Sequence, residues 1–211
     1  YKDLSIDGAD FVKIFSGFDH KFSVVRHAIN KLLVHTDVGA PKYRLVEIDL
    51  AEPSVENWKE IIPESTNLLQ GVSKGGGKLF AEYLKNATSK IYQYDYNGNF
   101  EKEIVLPGLG TVIGFSEKET VQEIFYSFTS FIYPGSIFIY DVITGTSKPF
   151  FQMDLKFDAS EYIEKQVFYK SKDGTEVSMF LVHKKDLVLD GNNPTFLYGY
   201  GGFNVNLTPS F

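Results

Sequence analysis

The sequence predicts two kinds of structure: several four-stranded blades of a β-propeller over residues 1–154, then the first strands of an α/β domain over residues 155–211. Three observations support this division. A strand pattern recurs every 46 residues in the first part, the composition is rich in aromatic residues, and a glycine-rich loop follows an apolar run near the end. The 19 Phe and 13 Tyr favour strands over helices, because aromatic side chains suit a half-buried pleated surface.

The repeat is defined by an aspartate that follows an apolar strand. These aspartates are Asp3, Asp49, Asp95 and Asp141, each 46 residues after the one before. A period in the forties with four strands per unit is typical of propeller blades, in which neighbouring sheets cover each other's faces. Because the outer part of a blade is remote from any central channel, we expect each aspartate to bond to its own turn backbone and not to bind a ligand.

Each unit is predicted to contain four strands in chain order. The inner, apolar strands are predicted at residues 22–27, 68–72 and 112–115, and the second strands at 31–35, 78–82 and 123–127. The third strands, which end at the repeated aspartate, are predicted at 1–4, 46–50, 92–96 and 138–142. The fourth and more polar strands are predicted at 10–15, 58–62, 100–106 and 148–152.

The repeat stops after about Met153, so we place a domain boundary near residue 155. Beyond it, residues 166–170 and 177–183 flank an Asp-Gly turn, which is a strong hairpin signal. A wholly apolar strand is predicted at 195–198. Continuous hydrophobicity indicates a strand covered on both faces, as at the centre of an α/β sheet.

The apolar run leads directly into the glycine-rich loop Gly199–Asn204. In α/β-hydrolases the loop after the third strand donates part of the oxyanion hole. Donors must approach a developing alkoxide closely, and glycines let the chain fold around it. Tyr200, at the centre of the loop, carries a phenolic donor that could point at that oxygen. The pattern therefore indicates the start of an α/β-hydrolase domain.

Three stretches of the sequence resemble the prolyl oligopeptidase family. They are residues 125–135, residues 168–185 with their Ser-Lys-Asp-Gly-Thr core, and Phe196-Leu197-Tyr198-Gly199-Tyr200-Gly201-Gly202-Phe203-Asn204. The last two, in this order and directly after blades of about 46 residues, are highly specific. One departure is Ser178, where relatives usually carry Pro before the Met.

The resemblance implies a seven-bladed propeller that covers a hydrolase domain, with the active site between them. It implies a serine oligopeptidase that cleaves short proline-containing peptides on the carboxyl side of proline and excludes folded proteins. Tyr200 then corresponds to the hydroxyl donor of the oxyanion hole, and Phe203 to a wall of the apolar pocket for the proline ring. The catalytic Ser, Asp and His would lie beyond Phe211, so the 211 residues alone are predicted to be inactive.

Composition and charge exclude several other functions. A net charge of −6 argues against a nucleic-acid partner, since phosphate binding needs a basic surface. No apolar stretch is long enough for a membrane span. The absence of cysteine and the scattering of the four histidines predict no metal site, and no cofactor is expected. We expect a monomer. We place it in the cytoplasm, with the periplasm as the alternative, because a chain without cysteine fits either compartment.

Two glycine motifs in the repeat region imitate functional sites. Gly71-Val72-Ser73-Lys74-Gly75 matches the nucleophile-elbow pattern, but an elbow needs a helix after it. A blade strand follows here, so we expect Ser73 to lie in a loop between blade strands. Lys74-Gly75-Gly76-Gly77-Lys78 lacks the spacing of a phosphate-binding loop.

Two alternative functions remain open from the sequence. One is a related serine peptidase, such as a dibasic-specific oligopeptidase B or, more distantly, an acylaminoacyl or dipeptidyl peptidase. The other is a non-catalytic binding propeller. The loop around Tyr200 argues against the second, because a propeller without an attached enzyme has no use for it.

Overall fold

The computed structural model describes all 211 residues and contains fourteen β-strands, two short 3₁₀ turns and no helix that could span a membrane. Blade A comprises β1 (Phe22–Ala28), β2 (Lys31–Thr36), β3 (Arg44–Asp49) and β4 (Lys59–Ile62). Blade B comprises β5 (Leu68–Gly75), β6 (Lys78–Lys85), β7 (Thr88–Tyr94) and β8 (Phe100–Glu103). Blade C comprises β9 (Thr111–Gly114), β10 (Glu123–Thr129), β11 (Ser136–Asp141) and β12 (Thr146–Phe151). A separate hairpin is formed by β13 (Tyr162–Lys170) and β14 (Glu176–Lys184).

Each blade is an antiparallel sheet whose strands pair in chain order, as the repeat predicts. Links of two to nine residues join consecutive strands within a blade, and the side chains alternate between the two faces of the sheet. On β6, Leu79 and Ala81 face blade A, whereas Phe80 faces blade C. Every blade therefore has two apolar faces and needs a neighbour on each side.

The core has two layers between successive blades and a smaller cluster, Leu32, Val34, Val46 and Ile48, on the other face of blade A. Between blades A and B lie Leu33, Leu45, Ile61, Ile62, Leu69, Leu79, Ala81 and Tyr83. Between blades B and C lie Phe80, Ile91, Ile104, Val112, Phe115, Ile124, Tyr126, Phe128, Phe138, Tyr140 and Val142. Full burial of one such aliphatic or aromatic side chain contributes about 1.5–3 kcal/mol, so the layers hold the blades in series. The three sheets do not close into a ring.

The repeated aspartates bond to their own turns, which confirms the prediction. The Oδ1 atom of each accepts a hydrogen bond from the backbone amide two residues later. The donors are Ser5 to Asp3 at 2.9 Å, Ala51 to Asp49 at 2.9 Å, Asn97 to Asp95 at 2.8 Å and Ile143 to Asp141 at 2.9 Å. At Asp141, the Thr144 amide donates as well and lowers the pKa of the carboxyl. The aspartates thus fix the turn between the third and fourth strands.

The strands predicted at 1–4 and 10–15 are not formed. Tyr1 and Val12 exchange two backbone hydrogen bonds, but no further ladder develops. None of the four sheets pairs with this segment. It instead covers blade A, where Phe15 stacks on Phe22 with ring centroids 3.9 Å apart.

Two further local predictions do not match the structure of these 211 residues. Ser73 lies within β5, opposite Phe80 of β6, and not in a loop, because pairing of the hairpin continues up to its tight turn. The apolar segment 195–198 is not a strand. No other strand of the chain hydrogen-bonds to it, and a central strand needs neighbours on both edges.

Turns at the ends of the blades define two rims. Rim 1 carries the β2–β3, β6–β7 and β10–β11 turns, at residues 37–43, 86–87 and 130–135. Rim 2, at the opposite ends of the same strands, carries the β1–β2 and β5–β6 turns and the loop 115–122.

Candidate functional site

The β13–β14 hairpin is held against rim 1. The Ser130 hydroxyl of the β10–β11 turn donates to Glu164 Oε2 of β13 at 2.6 Å. The adjacent Phe131 packs on Phe180 of β14, with ring centroids 5.5 Å apart. The Gln166 side-chain amide donates to the Asn86 carbonyl in the β6–β7 turn. The hairpin predicted from the Asp-Gly turn is therefore confirmed, and it lies beside blades B and C.

The last residues of the chain return to the same rim. The Thr111 hydroxyl donates to the Pro209 carbonyl at 2.7 Å, and the Phe211 amide donates to the Thr129 hydroxyl at 3.2 Å. These two threonines face each other across β9 and β10. The segment 185–208, with its glycine-rich loop, is thus held at both ends on rim 1.

The glycine-rich loop forms a compact turn. Gly201, Phe203 and Asn204 all have left-handed backbone angles, with φ of 65°, 50° and 55°. The Val205 amide closes the turn by donating to the Gly202 carbonyl at 3.0 Å. Left-handed angles are uncommon for a bulky residue such as Phe, so the turn holds Phe203 in a strained conformation.

The two predicted site residues lie on this turn but do not form a closed site within the chain. The Tyr200 side chain is half exposed, and its ring packs beside Gly202. Phe203 is 92% exposed, so no apolar pocket surrounds it. Tyr200 is therefore free to donate its hydroxyl, while the other walls of a substrate pocket are not supplied by these residues.

The apolar run before the turn is also uncovered. Phe196 is 89% exposed and Leu197 81% exposed, and the Phe196 ring stacks on Tyr198 at 6.4 Å. Contiguous apolar surface of this kind usually marks an interface with another part of a protein. The segment has the side chains of a buried strand without the sheet that would bury it.

A polar group that the sequence reasoning missed lies between blades B and C. Glu82 lines a cleft of about 140 Å³ formed by β5, β6 and β9, and its carboxylate accepts a hydrogen bond from the Ser89 hydroxyl at 2.9 Å. The same hydroxyl accepts from the Val112 amide of blade C at 3.1 Å. Burial raises the pKa of the Glu82 carboxyl.

The repeat contained a signal for this group. The equivalent position in blade A is His35, which is buried and bonds to the Leu69 carbonyl of blade B at 2.9 Å. Both residues end the second apolar run of their unit and face the next blade. A polar residue at this repeat position therefore indicates a polar contact between neighbouring blades. The cleft does not include Tyr200 or Phe203, and no cluster of three or more metal-ligating side chains is formed.

Comparison with known proteins places these features in a family. The family model described as "Prolyl oligopeptidase, N-terminal beta-propeller domain" matches residues 1–152. The prolyl endopeptidase of Elizabethkingia meningoseptica is 42% identical over 210 residues, which cover 100% of this chain and 30% of that protein. The prolyl endopeptidase of Dictyostelium discoideum is 37% identical over 188 residues, which cover 83% of this chain and 25% of that protein.

Solved structures agree with the sequence comparison. A prolyl endopeptidase structure that is 42% identical superimposes with a TM-score of 0.87, covering 97% of this chain and 30% of the other. Prolyl oligopeptidase B from Galerina marginata, bound to a 35mer substrate, is 25% identical with a TM-score of 0.86. The match covers 99% of this chain and 30% of the other. The chain thus spans about 30% of the length of these relatives. With its 46-residue blades and the match over residues 1–152, the chain belongs to the prolyl oligopeptidase N-terminal β-propeller family.

Proposed function

We propose that the chain is part of a serine oligopeptidase that cleaves short peptides on the carboxyl side of proline. The longer protein that would contain it is called the parent protein below. The relatives named prolyl endopeptidase, one of them 42% identical along the whole chain, support this proposal. The observation that carries it is the exposed Tyr200 on a glycine turn tethered to rim 1.

Residues 155–211 would begin the α/β-hydrolase domain of the parent protein. The exposed run at Phe196 and Leu197 would then be a central strand of that domain's sheet, covered by elements outside this chain. This assignment gives the uncovered apolar side chains a partner and places the turn at a strand end. In an α/β-hydrolase that position lies beside the nucleophile.

Tyr200 would act in acylation of a serine that lies outside the chain. Attack of that serine on the peptide carbonyl creates a negatively charged oxygen, and the Tyr200 hydroxyl donates a hydrogen bond to it. Removing one such donor typically costs about 3 kcal/mol of transition-state stabilisation. Phe203, on the same turn, would line the apolar pocket that receives the proline ring. No metal or cofactor is required by this chemistry.

The blades would cover this active site and restrict access to short peptides. Rim 1 carries both the β13–β14 hairpin and the anchors of the glycine turn, so it is the face that would adjoin the hydrolase domain. We propose a monomer in the cytoplasm or the periplasm, with no nucleic-acid or membrane partner.

Replacement of Tyr200 by Phe in the parent protein tests the mechanism. We expect kcat to fall about 100-fold, while KM changes little, because the hydroxyl acts mainly on the transition state. Tyr198→Phe is the matched control, since it removes a hydroxyl from the same segment and should leave kcat unchanged. An unchanged kcat for Tyr200→Phe would refute the proposed role.

Labelling by an active-site serine phosphonate separates an enzyme from a binding propeller. The parent protein should be labelled on a single serine outside residues 1–211. Absence of labelling in a folded parent protein would favour the non-catalytic alternative.

A further inference from the structure

The glycine run Gly75–Gly77 lets a loop of blade C approach blade B on rim 2. The Gly76 amide donates to the Lys118 carbonyl at 3.1 Å, and the Glu117 amide donates to the Lys74 carbonyl at 2.9 Å. A Cβ atom at Gly76 would lie 2.8 Å from the Val121 carbonyl oxygen, so no larger residue fits there without displacing the loop. The run is therefore a packing feature between blades.

This close approach carries Glu119 across blade B to blade A. Its Oε1 atom lies 2.8 Å from Arg26 Nε, and its Oε2 atom lies 3.3 Å from Arg26 Nη2. The two residues are 93 positions apart in the sequence. Lys74 of blade B contributes a weaker contact, with its Nζ 3.8 Å from the same carboxylate. One carboxylate therefore joins three consecutive blades.

Tyr96 of blade B completes the arrangement. The Arg26 guanidinium lies 4.1 Å from the centre of the Tyr96 ring, a cation–π geometry. The ring is fixed because its turn is bonded to Asp95 and because Gly98 of that turn packs against the Ile61 carbonyl of blade A. The guanidinium is held on its edge by the carboxylate and on its face by the ring.

Arg26 and Glu119 each stabilise the charged form of the other. Glu119 raises the pKa of the Arg26 guanidinium, chiefly through their hydrogen bonds, and Arg26 lowers the pKa of the Glu119 carboxyl. Arg26 is only 23% exposed, so solvent screens this pair less than a fully exposed one. A two-point arginine–carboxylate contact also has more geometric specificity than a contact made by lysine.

We propose that Arg26, Tyr96 and Glu119 form a clamp that ties blade A to blade C across blade B. This clamp keeps the blades from separating from one another at rim 2. Arg26 lies on β1, which contacts β5 of blade B, so the clamp acts on a strand that already adjoins the neighbouring blade. Resting on the proposed function, the clamp would limit the length of peptide that the blades admit. It lies on the rim opposite the Tyr200 turn and takes no part in the chemistry.

Amide hydrogen exchange of the parent protein tests the mechanical part of the proposal. In Glu119→Gln, exchange at residues 24–28 and 115–121 should accelerate about fivefold, the range of a partly exposed ion pair. Glu103→Gln is the matched control, because it breaks the Lys90–Glu103 pair within blade B, which lies toward rim 1, and should not affect rim 2. Arg26→Gln combined with Glu119→Gln should accelerate exchange by less than the product of the two single effects, because both variants lose the same Arg26–Glu119 hydrogen bonds. Unchanged exchange in Glu119→Gln, or additive effects in the double variant, would overturn the clamp.

The size limit is tested with two proline-containing peptides of about 5 and about 30 residues. Glu119→Gln should raise kcat/KM for the long peptide severalfold relative to the short one, with activity on the short peptide unchanged. Faster exchange without a change in this ratio would overturn the gating role. The exchange data do not depend on turnover, so a parent protein without peptidase activity would refute the proposed function and leave the clamp testable.

Discussion

Tyr140→Phe removes a hydrogen bond at the centre of the layer between blades B and C. The Tyr140 hydroxyl of β11 donates to Gln93 Oε1 of β7 at 2.6 Å, and both side chains are buried. Burial raises the pKa of Tyr140 to about 12, so the hydroxyl remains a donor at neutral pH. The Gln93 amide nitrogen donates to Glu101 Oε2 at 2.7 Å, which prevents the side chain from flipping to find another partner.

The magnitude follows from what the substitution leaves behind. Loss of one oxygen atom creates almost no cavity, but Gln93 Oε1 stays buried without a donor. An unsatisfied buried acceptor costs about 1–3 kcal/mol. The loss should therefore appear as a lower urea midpoint of the propeller transition.

Tyr126→Phe supplies the matched control. Tyr126 is buried in the same layer, but its hydroxyl forms no hydrogen bond of normal length and only approaches the Ser147 hydroxyl, which is itself unpaired. Its removal should therefore leave the free energy of unfolding unchanged or raise it. The assay is urea unfolding of the parent protein, followed by circular dichroism of the propeller transition. Equal midpoint shifts for the two variants would refute the reasoning, because both lose the same atom and differ only in its partner.

The other predictions concern a buried charge, two glycines and a serine. Glu82→Gln should raise the urea midpoint at pH 7 and lose this advantage toward pH 4, because burial raises the folded-state pKa of Glu82 and ionisation of the carboxyl therefore destabilises the folded state. Gly98→Ala should cost about 3 kcal/mol or more, since the new methyl group would collide with the Ile61 carbonyl, as thermal unfolding would show. Gly174→Ala, at a similar φ but in open space, should cost only about 1–2 kcal/mol, and an equal loss would exclude the steric explanation. Ser73→Ala should leave the kcat of the parent protein unchanged, because Ser73 lies in a blade strand with no helix after it; a large loss of activity would make it the nucleophile instead.

The sequence was most informative where a pattern is repeated. Three aligned units predicted the order of the blade strands, and the aspartates at a spacing of 46 predicted their own turns. Both depend on contacts within a few residues or between adjacent strands, which local side-chain chemistry determines. The boundary near residue 155 stays a prediction, as do the roles of Tyr200 and Phe203.

Predictions failed where structure depends on neighbours outside the segment. Residues 195–198 have the composition of a central strand, but no adjacent strand is present to accept their backbone hydrogen bonds. Residues 1–15 likewise join no sheet and pair only through the two hydrogen bonds between Tyr1 and Val12. Strand composition alone cannot indicate whether the partners of a strand are present.

Contacts between blades could also not be predicted from the sequence. The pairing of Arg26 with Glu119 joins residues 93 positions apart and depends on how three blades stack. Its only local trace is the glycine run at 75–77, which looks like a flexible loop until the approaching backbone is known. Glu82 was recognisable only by comparison with His35 in the preceding unit.

Hydrolysis of two reporter substrates tests the central claim most directly. The parent protein is assayed for kcat/KM on a Z-Gly-Pro reporter and on an Arg-Arg reporter under the same conditions. For a proline-specific oligopeptidase, kcat/KM should be at least about 100-fold higher on the Gly-Pro reporter than on the Arg-Arg reporter. Preference for Arg-Arg, or turnover of neither substrate by a folded parent protein, would contradict the account.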